Sequence, residues 1–262
     1  MRIIALEYHD VIRPGHWDES GFPGPAAATY KLAVDAFEAH LDAIGREGLV
    51  ILSDVAAAVT HRSPRTPVVL TFDDGGSGYL AHAADLLEAR GWRGHLFMTT
   101  GCIDQPGFLQ GSELRDLQAR GHTIGTHSRN HPVRMSALPD SIIAEEWRTS
   151  LSDLRNVLGR DVHVGSVPGG YHSRAVAEAA AGNGITTLFT SEPEAGIHIV
   201  AGCTIIGRFT LRSGHPASYA GRLVGRAPFA RGRQWLEWNA KKVAKAIGGR
   251  HYLRIRDRVL GS

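Results

Sequence analysis

Two short segments of this 262-residue chain, Thr71-Phe72-Asp73-Asp74-Gly75 and His127-Ser128-Arg129-Asn130-His131, hold residue types that together can bind one metal ion. A carboxylate and two imidazoles leave coordination positions open for water, which is the composition of a hydrolytic metal site. The acidic pair follows Pro67-Val68-Val69-Leu70-Thr71-Phe72, a continuous apolar, β-branched run that reads as a strand buried on both faces. Gly75, Gly76 and Gly78 then permit a tight turn into a helical pattern that carries Leu80, Ala83, Leu86 and Leu87. His127 and His131 follow the strand-like His122-Thr123-Ile124-Gly125, and their i, i+4 spacing predicts two rings on one face of a helical turn. Each segment alone has a plainer explanation. Asp-Gly marks turns and Asp73 would serve as a helix cap, while a chain with 14 histidines carries solvated ones. The conjunction of both segments at successive strand ends favours the metal.

These residues need a scaffold that brings strand ends together. Further strands are predicted near Ile3-Tyr8, Leu49-Leu52, Gly94-Met98, His163-Val167, Ile185-Phe189 and Cys203-Ile206. Helical patterns lie between them, such as Ser141-Leu158 with Ile143, Trp147, Leu151, Leu154 and Leu158 on one stripe. About eight parallel strands with intervening helices imply an α/β barrel, whose active sites are built at the carboxyl ends of strands. Periodicity alone does not separate a barrel from an open sheet. A hydrophobic content of 43% over this length is enough for one large core.

Thr-Phe-Asp-Asp-Gly followed some fifty residues later by His-Ser-x-x-His resembles the paired motifs of the polysaccharide deacetylase family, the NodB-like carbohydrate esterases. The resemblance runs from about Leu6 to about Leu211 and implies a distorted (β/α) barrel of about seven to eight strands. It also implies that Asp73 is the catalytic base and that Asp74, His127 and His131 bind one divalent metal ion, usually zinc. The third family segment, Arg-x-Pro-Tyr-Gly, corresponds to Ser166-Val167-Pro168-Gly169-Gly170-Tyr171. Pro168 and Gly170 fit, and the Gly169 N–H matches the family's oxyanion donor. Ser166, however, replaces the arginine that orients the base. Arg208, at the end of Cys203-Thr204-Ile205-Ile206-Gly207, is the candidate substitute. The late Leu-x-x-His segment is missing. The first strand instead ends in Tyr8-His9, which resembles the branch seen in poly-N-acetylglucosamine deacetylases and implies His9 as the general acid. His172 and His215 stand as outside candidates.

The implied reaction is hydrolysis of an N-acetyl amide on an amino sugar, within a glycan or a lipid-linked saccharide. Adjacent carboxylates disfavour a glycosidase, whose two carboxyls stand about 5 to 9 Å apart across a sugar. Two other readings stay open: a deformylase or other non-peptide amide hydrolase on a sugar, and a catalytically silent saccharide-binding barrel. The stretch from Arg13 to Tyr30, with Pro14, Gly15, Gly21, Pro23, Gly24 and Pro25, reads as a long irregular loop leaving the strand that carries His9. Its Trp17 and Phe22 offer apolar faces to a sugar, and Tyr171 and Glu192 are further substrate-binding candidates. A mobile surface loop and a solvated acid are the bland alternatives.

Charge is unevenly spread. Residues 222–262 hold 11 Lys and Arg against 2 acids, whereas residues 1–221 hold 18 against 24. This divides the chain into a barrel over 1–221 and a basic helical extension over 222–262. Trp235, Leu236 and Trp238 among basic residues suggest contact with an anionic membrane surface, with docking of the same stripe on the barrel as the alternative. No nucleic-acid-binding module is recognisable. The chain enters a strand pattern within eight residues of Met1 and holds two cysteines, Cys102 and Cys203, so the expected location is the cytoplasm, peripheral to the inner membrane face. Exopolysaccharide or lipopolysaccharide synthesis is the corresponding biological expectation.

Overall fold

The computed structural model describes residues 2–55, 66–225 and 229–240. The short apolar runs form strands β1 (Ile4–Tyr8), β2 (Asp10–Ile12), β3 (Lys31–Ala33), β4 (Val68–Phe72), β5 (His95–Met98), β6 (Thr123–Thr126), β7 (Val164–Ser166), β8 (Thr187–Phe189), β9 (Ile197–Val200), β10 (Cys203–Ile206) and β11 (Arg208–Thr210). Nine of them make one sheet in the order β11-β1-β4-β5-β6-β7-β8-β10-β9, while β2 and β3 pair separately. Every neighbour in the large sheet is parallel except β9, which runs antiparallel to β10.

The sheet closes through one run of chain. β10 pairs with β8 and β11 pairs with β1, yet only Gly207 separates β10 from β11. The run 203–210 therefore joins the two ends of a distorted seven-membered barrel, with β9 as an outer addition. Glycine is required at the bend, because a Cβ on Gly207 would lie 2.3 Å from the Glu192 carbonyl oxygen.

Four expectations need correction. Leu49–Leu52 is not a strand: Ile51 makes a single bridge to Val68. β2, β3, β9 and β11 were not expected, being three or four residues long and therefore weak in pattern. The loop from Arg13 to Tyr30 contains one helical turn, α1 (Pro25–Ala28), with Pro25 at its start. Along the helix Asp140–Leu158, Leu151 is half-buried, and Glu146 and Ser150 share the buried face.

Helices cover the barrel: α2 (Val34–Gly45), α3 (Ala84–Glu88) after a π-turn over Tyr79–Ala83, α4 (Gly111–Ala119), α5 (Asp140–Leu158), α6 (Arg174–Gly182) and α7 (Ala217–Val224). Residues 229–240 form one more, α8. It docks through Gln234, whose amide accepts from the Thr210 N–H (3.0 Å) and donates to the Thr210 carbonyl (2.9 Å), and through Arg231 on the carbonyls of Leu223 and Gly225. The remainder of the basic extension, from Lys241 with Lys242, Lys245 and the later arginines, lies outside the described residues.

Candidate active site

Alternation along the strands places a layer of polar side chains inside an otherwise apolar barrel. Residues i and i+2 share a face, so β1 sends Glu7 and then His9 toward the site, and β4 sends Thr71 and then Asp73. Asp73 is buried, and its N–H donates to the Tyr8 carbonyl at 3.1 Å, extending the β1–β4 pairing to the site. Asp74 then turns away in the left-handed region (φ 73°). That turn points two adjacent carboxylates in different directions, and its strain belongs to a site rather than to a routine loop.

Arg208 reaches Asp73 from β11. Its Nη1 donates to Asp73 Oδ1 and its Nη2 to Asp73 Oδ2, both at 2.7 Å, a bidentate clamp on a fully buried guanidinium. Ser166 explains how there is room. At the position where the family segment carries arginine, its small hydroxyl accepts from Arg208 Nη2 at 2.8 Å and donates to Asp73 Oδ2 at 3.3 Å. The guanidinium fills space beside Ser166 that a longer side chain would occupy. Burial alone would raise the Asp73 carboxyl, but the Arg208 guanidinium outweighs it and holds the acid well below the usual carboxylate range.

Asp74, His127 and His131 converge. Asp74 Oδ1 lies 3.6 Å from His127 Nε2 and 3.4 Å from His131 Nε2, and this buried oxygen has no hydrogen-bond partner among the described residues. Donors each about 2 Å from a tetrahedral zinc ion would stand roughly 3.3 Å apart, so the spacing fits a shared divalent ion. The His127 ring is fixed in the required orientation: Nδ1 lies 3.0 Å from the Ser166 carbonyl, which selects the tautomer with Nε2 facing Asp74. Burial pushes the His127 imidazolium down to about 4, so the ring is a neutral donor at pH 7.

The expected helical turn for these histidines is absent. Ser128 (φ 65°) and His131 (φ 49°) adopt left-handed conformations that interrupt a right-handed helix, and the rings meet at 5.1 Å across a loop. Glu146 of α5 holds that loop. Its carboxylate accepts the N–H groups of Arg129 (3.0 Å) and Asn130 (2.9 Å) and the Asn130 side-chain amide (2.7 Å).

His9 projects toward Asp73, and Glu7, His9 and Asp73 bring ligand-type atoms within 4.8 Å of one another. The His9 ring packs on Tyr30 at 4.6 Å. Gly169 (φ 65°) sits in the turn Pro168–Gly170, and a Cβ there would meet the Val133 carbonyl at 2.5 Å. The backbone beside the site thus approaches more closely than any side chain allows. Phe22 reaches the site edge, 5.1 Å from the His131 ring. Tyr171 lies under the Arg134 guanidinium at 5.2 Å. Glu192 is half-buried, and its carbonyl accepts the Arg208 N–H. Trp17 is half-buried too, held by its carbonyl, which accepts from the Lys31 ammonium at 2.5 Å. His215 is turned toward Tyr219 at 4.5 Å, with its carbonyl facing His40.

Among the buried acids that escaped the sequence reading, Glu7 and Glu146 bear on the site. Glu7 interrupts an apolar strand two residues before His9, a signal that was present in the sequence. Glu146 had a weaker one, a charged residue on the apolar stripe of α5.

The strand ends of a nearly parallel barrel thus bring together a clamped aspartate and an Asp-His-His cluster. Residues 60–188 match the family model described as polysaccharide deacetylase. It is 24% identical over 163 residues to YxkH of Bacillus subtilis (strain 168), whose name places it among polysaccharide deacetylases. That match spans 61% of this chain and 58% of the relative's length. Among solved structures, the Streptococcus pyogenes deacetylase PplD in complex with acetate superposes with a TM-score of 0.69 at 20% identity, covering 83% of this chain and 95% of that one. IcaB from Ammonifex degensii gives 0.69 at 19% identity, covering 86% and 97%. At these identities the structural likeness establishes the fold.

Proposed function

We propose that this protein is a metal-dependent hydrolase that removes the N-acetyl group of an amino sugar in a glycan or lipid-linked saccharide. The observation that carries the reading is the Arg208-clamped Asp73 beside the partnerless Asp74 oxygen, which faces two imidazoles. Asp74, His127 and His131 would hold a divalent ion, zinc by its nitrogen and oxygen donors, which when bound acidifies water and polarises a carbonyl.

The chain's own residues supply the rest. Asp73, kept ionised by Arg208, accepts a proton from the attacking water. The Gly169 N–H faces the developing oxyanion and His9 protonates the departing nitrogen, so that the C–N bond breaks to acetate and a free amine. In this reading Phe22, Trp17, Tyr171 and Glu192 are the groups that contact the saccharide. The acetate held by the Streptococcus pyogenes deacetylase of the same fold favours acetyl over formyl.

The second partner in this reading is an anionic membrane surface reached through residues 222–262. α8 keeps Phe229, Trp235 and Leu236 exposed while its other face is tied to β11. A peripheral, cytoplasmic place in exopolysaccharide synthesis follows from that partner. Among the described residues no helix is long and apolar enough to cross a membrane.

The test is acetate release from N-acetylglucosamine oligomers and an acetamido lipid-linked sugar, with formamido counterparts, by protein stripped of metal and reloaded with zinc. Zinc-restored acetate release, lost at least about a thousand-fold in Asp73→Asn and Asp74→Asn, is expected for a base and a ligand of one site. Release of formate alone would replace the acetyl reading. Saccharide binding without any turnover in zinc-loaded protein would refute hydrolysis.

A further inference from the structure

The clamp on Asp73 is only as well placed as the guanidinium that makes it. Arg208 spends every donor inside the barrel: Nε on the Thr190 carbonyl (3.1 Å), Nη1 on Thr71 Oγ1 (3.1 Å) and Asp73, and Nη2 on Ser166, Asp73 and Glu7 Oε1 (3.0 Å). Ser166 and Thr71 offer hydroxyls, which rotate, and Asp73 is the group to be positioned. Among these partners, Glu7 is the other full charge on the guanidinium.

Glu7 is itself held without freedom. It is 3% exposed, and its Oε1 accepts from Ser191 Oγ at 2.8 Å while Oε2 accepts from Thr210 Oγ1 at 2.5 Å. Strand register fixes this meeting, since Glu7 lies opposite Thr71 on one side and opposite Thr210 on the other. Thr210 is also the residue whose backbone both accepts from and donates to Gln234 of α8. A continuous chain of hydrogen bonds thus runs Gln234, Thr210, Glu7, Arg208, Asp73.

We propose that Glu7 is the positioning residue for the catalytic base, acting through Arg208. A buried guanidinium with a carboxylate on only one edge can pivot toward it. A second carboxylate on the same Nη2, anchored to Ser191 and Thr210, locks the plane in which both Asp73 oxygens are met. The assignment rests on Asp73 being the base of the proposed deacetylase, and the Glu7–Arg208 coupling can be read without it.

The isosteric variant Glu7→Gln is compared with wild type by kcat, KM and zinc stoichiometry, with Arg208→Gln and the double variant completing a cycle. The expected result is a 10- to 100-fold fall in kcat, the range typical of outer partners of a site, with KM and bound zinc within about two-fold of wild type. In the Arg208→Gln background the added Glu7→Gln change should cost less than about two-fold, because its route is already cut. Nitrogen-15 NMR of the arginine side chains supplies a readout free of turnover: wild type should show resolved, slowly exchanging Nη signals for Arg208, and Glu7→Gln should collapse them. Should Glu7→Gln fail to fold, Thr210→Val, which removes only the hydroxyl on Oε2, should give the same pattern at smaller amplitude. An unchanged kcat, an effect confined to KM, or a full effect without Arg208 overturns the proposal. Wild-type protein that shows the NMR signature but no turnover would refute the deacetylase reading and leave the Glu7–Arg208 coupling standing.

Discussion

At the scale of single residues, the barrel interior tolerates charge only where it is matched. Arg208, Asp73 and Glu7 are all nearly inaccessible to water, and each oxygen and donor among them has a partner. Breaking such a set strands a buried charge, which costs far more than the intact pairs contribute. His95, at the start of β5, shows the same rule for a lone group: burial pushes its imidazolium down to about 4, so it is buried neutral. An unfolded histidine protonates near 6.5, so the unfolded chain gains a proton first as pH falls. The stability that His95 contributes is complete above that value and is lost between roughly 6.5 and 4, to a total of about 3 kcal/mol. Urea denaturation of metal-free protein across this window should therefore show a slope shallower in His95→Gln than in wild type, by up to about 1.4 kcal/mol per pH unit. Parallel curves would mean that His95 is accessible to protons in the folded state.

At the scale of elements, α5 does two jobs with one face. Ile143, Trp147, Leu154 and Leu158 bury its apolar stripe, while Glu146 and Ser150 on the same face reach the loop between the two site histidines and the end of β6. The loop has no helical hydrogen bonds of its own. It relies on Glu146, on the Thr100 N–H to the Ser128 carbonyl and on the Gly101 N–H to the Arg129 carbonyl. Glu146→Gln keeps the shape but weakens a charge-assisted grip on two backbone donors. Zinc affinity, measured by competition with a chelating dye, should drop about ten- to a hundred-fold while the circular dichroism spectrum stays that of wild type. Unaltered affinity would show that the loop is positioned by its backbone contacts alone.

At the scale of the whole molecule, α8 links the barrel to the basic end of the chain. It covers Thr210 with Gln234 and brings Trp238 beside Gly170, where a glycine Cβ would stand 3.2 Å from the indole. The helix therefore borders the turn that carries Gly169, and its outward Phe229, Trp235 and Leu236 lie on the far side. In the proposed membrane reading, the full chain should sediment with vesicles containing phosphatidylglycerol at low salt. Retention should weaken steeply as salt screens the charge over about 10 Å at 0.1 M. The triple change Phe229→Ser, Trp235→Ser, Leu236→Ser should release it while acetate release from soluble oligomers persists. Equal sedimentation of the triple variant would place the contact elsewhere in the chain.

The sequence by itself determined what local chemistry dictates. Buried strands declare themselves as β-branched runs, so most barrel strands were legible in position, and α5 was legible from its stripe. The Asp73-Asp74 and His127-x-x-x-His131 groups were legible because each is contiguous and sits at a strand end. The short strands β2, β3, β9 and β11 were not, since three or four residues cannot establish a period against neighbouring turns. The tertiary structure alone decided which residues meet across distance. It brought β11 against β1, let Arg208 enter beside the small Ser166, and set Glu7 behind it. Those contacts join residues as much as 203 positions apart through strand register and barrel closure, which no local pattern encodes.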